Sequence, residues 1–160
     1  MMMEIERKFL LAEHVDELYI RKLAIQSQRI QQAYLNSNPD RTVRVRRKGE
    51  HAFLTVKGRS SSDGLSRYEW EKPISLEEAE ELFRLCEPGL IDKMRYVVPL
   101  GQQRFEVDVF YANNQGLILA ELELSHISES IERPSWLGSD VTGDARYYNS
   151  QLMKKPYSQW

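Results

Sequence analysis

With 160 residues and a net charge of −2, from 22 Lys and Arg against 24 Asp and Glu, the chain has the size of one hydrophobic core and lacks the positive excess that would hold it on DNA or anionic lipid. A composition of 41% hydrophobic and 29% charged residues excludes disorder as the main state. Apolar runs such as 116–120 fall far short of the roughly 20 residues of a membrane helix, and Met1-Met2-Met3-Glu4-Ile5-Glu6 has no secretory pattern. A single cytoplasmic domain over residues 1–160 is expected, with neither nucleic acid nor membrane as partner. The one cysteine, Cys86, reads as an inert thiol packed behind a helix.

In chain order, alternation predicts a first strand at 4–10, followed by a helix at 13–23. Strands follow at 30–35, 43–48, 52–57 and 67–72, parted by the turn signals Lys48-Gly49-Glu50 and Ser62-Asp63-Gly64. Ser75 with Glu78 forms a capping box for a helix over 75–85, where Leu76, Ala79, Leu82 and Phe83 recur at helical spacing before Glu87-Pro88-Gly89 stops them. Three more strands are expected at 91–98, 104–110 and 117–125, and a closing helix at 146–154. The fold class is mostly β, built from about eight antiparallel strands.

Residues of one parity share a face of a strand, and here one parity is charged on strand after strand. Glu4, Glu6 and Lys8 oppose Ile5 and Phe9; Arg44 and Arg46 oppose Val43 and Val45; Lys57 opposes Val56. Glu69 and Glu71, Lys93 and Arg95, Glu106 and Asp108, and Glu121 and Glu123 continue the pattern. A sheet with one wet face gives similar alternation, but such faces mix in Ser, Thr and Asn, whereas these are same-sign pairs that repel along a strand. If the strands close into a barrel, the amphipathic helices need the apolar face outside, which leaves the charged face lining a tunnel. Neutralising that interior suits a divalent cation among the acids and a polyphosphate among the bases.

Other chemistries find little support. His14, His51 and His126 lie apart without metal-ligand spacing, and Lys57-Gly58 lacks the preceding glycines of a phosphate loop. In Arg44-Val45-Arg46-Arg47-Lys48, parity sends Arg47 away from Arg44 and Arg46, and no aromatic residues are interleaved for stacking on bases.

From Glu4-Ile5-Glu6-Arg7-Lys8 onward the chain resembles the CYTH superfamily of triphosphate tunnel metalloenzymes, in particular its short bacterial triphosphatases. The likeness continues through Arg44 and Arg46, Lys57, Glu69-Trp70-Glu71, Lys93-Met94-Arg95, Glu106-Val107-Asp108, Glu121-Leu122-Glu123 and the segment 141–149. It implies a closed antiparallel eight-stranded barrel with helices packed outside. It also implies Glu4, Glu6, Glu121 and Glu123 as ligands of Mg²⁺ or Mn²⁺, and Lys8, Arg44, Arg46, Lys57, Lys93, Arg95 and Arg146 as the phosphate cradle. Glu4, Glu6 and Lys8 would be catalytic, and Glu69, Glu71, Glu106 and Asp108 would hold a second metal or orient the bases. The implied partner is a small-molecule triphosphate, inorganic tripolyphosphate first, and the implied reaction is metal-dependent hydrolysis of its terminal phosphoanhydride by a monomer or homodimer. A class IV adenylate cyclase, a nucleoside or thiamine triphosphatase, and a catalytically silent polyphosphate-binding module are the alternatives.

Overall fold

A computed structural model describes residues 3–160; Met1 and Met2, which open the segment read as leaderless, lie outside the described residues. The alternating segments form strands β1 (Met3–Leu11), β2 (Gln26–Asn36), β3 (Arg41–Lys48), β4 (His51–Gly58), β5 (Ser66–Ile74), β6 (Ile91–Leu100), β7 (Gln103–Phe110) and β8 (Ile118–Glu123). Every pairing is antiparallel, and the order β5-β4-β3-β2-β6-β7-β8-β1 returns to β5 through a β1–β5 pairing, so eight strands close a barrel. That closing seam is short: Met3, Glu4 and Ile5 oppose Tyr68, Arg67 and Ser66. Beyond it a ninth strand, β9 (Leu137–Asp140), lies against the second half of β1.

The expected parity holds. Phe9, Val107, Ala120 and Leu122 face outward into the main core with Val98 and Phe105, all buried, and each of the side chains larger than alanine contributes about 1.5–3 kcal/mol. Helix α1 (Glu17–Leu23) inserts Ile20 there, and Trp136 packs edge-on against Phe105. Helix α2 (Leu76–Phe83), with its capping box formed, lays Ala79 over Val45 and Ala52. Cys86 lies half-buried just beyond α2, its thiol donating to the Leu82 carbonyl, and burial with Glu87 beside it raises its pKa. No helix among the described residues is long and apolar enough to cross a membrane.

Element bounds differ from the sequence expectations for local reasons. The first helix starts at Glu17 rather than 13, because the Asp16 side chain accepts from the Tyr19 amide and caps it there. β2 begins four residues earlier than predicted: the polar run Gln26-Ser27-Gln28-Arg29 pairs with β6. β8 ends at Glu123, and the tail is not one helix but a 3₁₀ turn (Ala145–Tyr147) and a single α turn, α3 (Asn149–Leu152). β9, Leu-Gly-Ser-Asp, has no alternation to announce it.

The tail plugs one end of the barrel. Leu152 and Met153 pack on Tyr34, Ile91, Phe110 and Leu119, and Val141 and Thr142 bond to the Lys8 backbone. The β4–β5 turn completes this closure at Gly64, which has φ +76°. A Cβ there would lie 2.3 Å from the Gly143 Cα. Gly64→Ala should therefore lower stability by about 2 kcal/mol from strain and backbone collision. The expected result is a fall in melting temperature of about 4–8 °C, whereas Ser62→Ala in the same exposed turn should leave it unchanged.

Candidate functional site

Inside the barrel the inward parity lines a cavity of about 230 Å³. Acids crowd one side. Glu6 on β1 is paired in register with Glu123 on β8, Lys8 with Glu121, and Glu121 with Glu106 on β7. Bases face them: Arg44, Arg46 and Lys48 rise along β3, with Arg95 from β6 and Lys57 from β4. Because successive side chains on a strand alternate, each i, i+2 pair in the sequence becomes two neighbouring charges on the tunnel wall.

Ion pairs join the two sides. Lys57 donates to Glu4 at 2.7 Å and lies 3.5 Å from Glu69. Arg95 makes a forked contact with Asp108 at 2.8 and 2.9 Å and approaches Glu106 at 3.4 Å and Glu121 at 3.8 Å. Lys8 lies 3.8 Å from Glu121 and donates to the Tyr147 carbonyl. Arg44 donates to Thr55, which in turn donates to Glu71. The Nε of Arg44 is buried with no acceptor among the described residues.

Burial and crowding separate the carboxylates. Burial alone would raise Glu4, but the charge and hydrogen bond of Lys57 outweigh it and lower its pKa to about 2. Glu6, which has no basic partner at salt-bridge distance among the described residues, is pushed well above the carboxylate range by burial and by Glu121 and Glu4. Glu123 rises through burial and the nearby acids Glu4, Glu106 and Glu69. Against its burial, Glu121 is lowered by Lys8 and Arg95. Among the bases, Arg46 is pressed down to about 9 by burial beside Arg44 and Arg95, and so remains a cation at neutral pH.

Of the residues singled out from sequence, Glu4, Glu6, Lys8, Arg44, Arg46, Lys57, Glu69, Glu71, Arg95, Glu106, Glu121 and Glu123 line this one cavity. Three do not. Lys93 is fully buried beneath the wall, 2.8 Å from Asp108 and hydrogen-bonded to Asn149. Asp108, equally buried, is committed to Arg95 and Lys93. Arg146 corrects an expectation: it is exposed outside the tunnel, paired with Asp144 and lying over the Trp160 ring, because the 3₁₀ turn of the tail directs it outward. The lining also holds residues not anticipated: Thr42, Lys48 and Thr55, which share the inward parity of β3 and β4, and Tyr148, Asn149 and Ser150 from the plug.

Residues 2–157 match the CYTH domain family. The chain is 39% identical to an inorganic triphosphatase of Acetivibrio thermocellus, over 98% of this chain and 97% of that protein. It is 37% identical to an inorganic triphosphatase of Nitrosomonas europaea, over 94% and 97%. The solved structure of an inorganic triphosphatase superposes with a TM-score of 0.64 at 32% identity, covering 94% of this chain and 97% of that one.

The crowded acids generate a pH prediction. A carboxyl whose folded-state pKa is raised binds its proton more tightly in the folded chain, so its stabilising contribution is lost as pH rises through that folded value. Glu6→Gln removes the titration. In excess chelator its melting temperature should exceed that of wild type, with the gap widening from about pH 5 to about pH 8, by about 2–4 °C for each kcal/mol relieved. A gap that narrows over that range, measured by thermal melts in a constant-ionic-strength buffer series, would contradict the assignment.

Proposed function

The chain belongs to the CYTH domain family, and on that premise we propose that it is a metal-dependent hydrolase of the terminal phosphoanhydride of a triphosphate, with inorganic tripolyphosphate as preferred substrate. The observation that carries the reading is the two-sided tunnel: carboxylates from β1, β5, β7 and β8 facing cations from β3, β4 and β6 across about 230 Å³. A chain of phosphates is the ligand whose charge is spread along its whole length, and guanidinium forks match its oxygens. Two full-length relatives named inorganic triphosphatases support the same reading.

The acid side fits a hard divalent cation, Mg²⁺ or Mn²⁺. Its donors are all carboxylate oxygens, and Glu6 and Glu123 carry raised pKa values that a cation would relieve. Among the described residues no three His, Cys, Asp or Glu side chains are already gathered to ligand distance. That spacing suits a cation taking one or two carboxylates together with water and substrate oxygens. Its one or two protein ligands would come from Glu4, Glu6, Glu121 and Glu123, and when bound it supplies polarisation of the phosphoryl group and of water.

The protein's own residues then act by position and charge. Arg44, Arg46, Arg95, Lys8 and Lys57 would bind phosphate oxygens and stabilise the charge that spreads over the transferring group. Phosphate gives Lys57 a new acceptor, which frees Glu4 from its 2.7 Å contact. Asp108, itself anchored on the buried Lys93, would hold Arg95 from behind.

Phosphate release from wild type should give kcat/KM in the order tripolyphosphate, ATP, pyrophosphate, since the cradle binds phosphate and the shortest chain leaves cations unpaired. Cyclic AMP formed from ATP faster than tripolyphosphate is cleaved would favour a cyclase instead. Glu4→Gln and Glu123→Gln should each lower kcat with Mg²⁺ or Mn²⁺ by about a hundredfold or more while the circular dichroism spectrum stays native. Turnover at the wild-type rate in either variant, or in excess chelator, would refute the metal assignment.

A further inference from the structure

The cations of the tunnel differ in what accepts from them. Lys8, Arg44, Lys57 and Arg95 each have a carboxylate at salt-bridge distance. Arg46 has none among the described residues. Its Nε donates instead to the side-chain oxygen of Gln32 at 3.1 Å. Gln32 is fully buried, and its amide nitrogen donates in turn to the Tyr34 hydroxyl at 3.4 Å.

A carboxamide has the shape of a carboxylate and accepts the same hydrogen bond, but it carries no charge. Beside Arg46, with Arg44 next along the same face of β3, a glutamate at position 32 would be the ordinary electrostatic answer. Every other strongly anchored cation here has received that answer. Arg95 spends its fork on Asp108, and Lys57 is held between Glu4 and Glu69.

We propose that Gln32 is a positioning residue that fixes the Arg46 guanidinium in the tunnel while withholding a counter-charge, so that Arg46 keeps its full positive charge for a substrate phosphate. The identity of the anion rests on the triphosphatase reading; the withheld charge rests on the contacts of Gln32 alone. Lys48, next on the same face toward the open end and likewise without an acidic partner among the described residues, continues this unneutralised run. The cost is borne by Arg46 itself, which is depressed first by its burial and then by repulsion from Arg44 and Arg95.

The test is Gln32→Glu, which keeps the shape and the acceptor for Arg46, adds a charge, and replaces the amide donor to Tyr34 with an oxygen to which the Tyr34 hydroxyl can donate. Calorimetric titration with sodium tripolyphosphate in chelator should show affinity about tenfold or more below wild type, because phosphate must now displace a carboxylate. The ligand-free melting temperature should equal or exceed that of wild type, and with metal KM should rise by a larger factor than kcat falls. A purely structural role predicts the opposite pairing, lower melting temperature with affinity kept, and that result overturns the proposal. Affinity within about twofold of wild type also overturns it.

Should Gln32→Glu not fold, Gln32→Met provides the second reading. It removes the acceptor, so affinity should fall severalfold, but not further in an Arg46→Met background, since the two residues act as one unit. Equal losses in both backgrounds overturn the proposal. If wild type binds tripolyphosphate but does not cleave it, the triphosphatase reading fails, and the calorimetric comparison still decides the role of Gln32.

Discussion

A closed barrel with an ionised interior must neutralise that interior, and this constraint governs the rest of the molecule. Each charge removed from bulk water costs several kcal/mol unless it is paired. The chain meets the demand unevenly. Arg95 and Lys93 share Asp108 as a buried group in the wall, and Lys57 bridges Glu4 and Glu69 across the barrel seam. Glu6, Glu123 and Arg46 are left short of partners, at the places where a cation and an anion would complete them. Stability is given up at such positions, and ligands that bind only the folded chain would restore it.

The helices follow from the same constraint. With the charged parity inside, the apolar parity faces out, and β-strands cannot leave that surface bare. Ile20 of α1, Ala79 of α2 and Trp136 are the covers. The tail does two jobs at once: its apolar side seals the barrel end, while Tyr148, Asn149 and Ser150 supply polar lining, and the Tyr147 carbonyl and Asn149 accept from Lys8 and Lys93.

Much of this was legible in the sequence because the strand period is two. Glu4 and Glu6, Arg44 and Arg46, and Glu121 and Glu123 announce their shared face without any structure, and the helices indicate which face is inside. What parity cannot give is depth or partner. Lys93 has the right parity but lies behind the cavity, and Lys48 lines it although the Arg-x-Arg motif ends at Arg46. Arg146 failed as a cradle residue because a 3₁₀ turn has no fixed face, so its direction depends on Asp144 and Trp160. Gln32 was passed over for a different reason: a neutral side chain among many charges draws no notice until its contact with Arg46 is seen. The four polar residues opening β2 and the unpatterned β9 escaped because ladder partners, not side-chain character, define them.

The seam between β1 and β5 bears on how the molecule comes into being. The first strand finds none of its neighbours nearby in the chain: Glu6 waits for Glu123, Phe9 for Ala120 and Asp140, and Glu4 for Arg67. During synthesis β1 is made before every strand it pairs with: its first three residues can meet β5, whereas Glu6 and Lys8 wait until β8 and β9 emerge. Contacts of such long sequence separation form late and slowly, so the hairpins from β2 to β5 and from β6 to β8 are placed to fold before the barrel shuts. The charges that an empty tunnel tolerates poorly are harmless on a solvated strand, and their repulsion is felt only at the last step of closure.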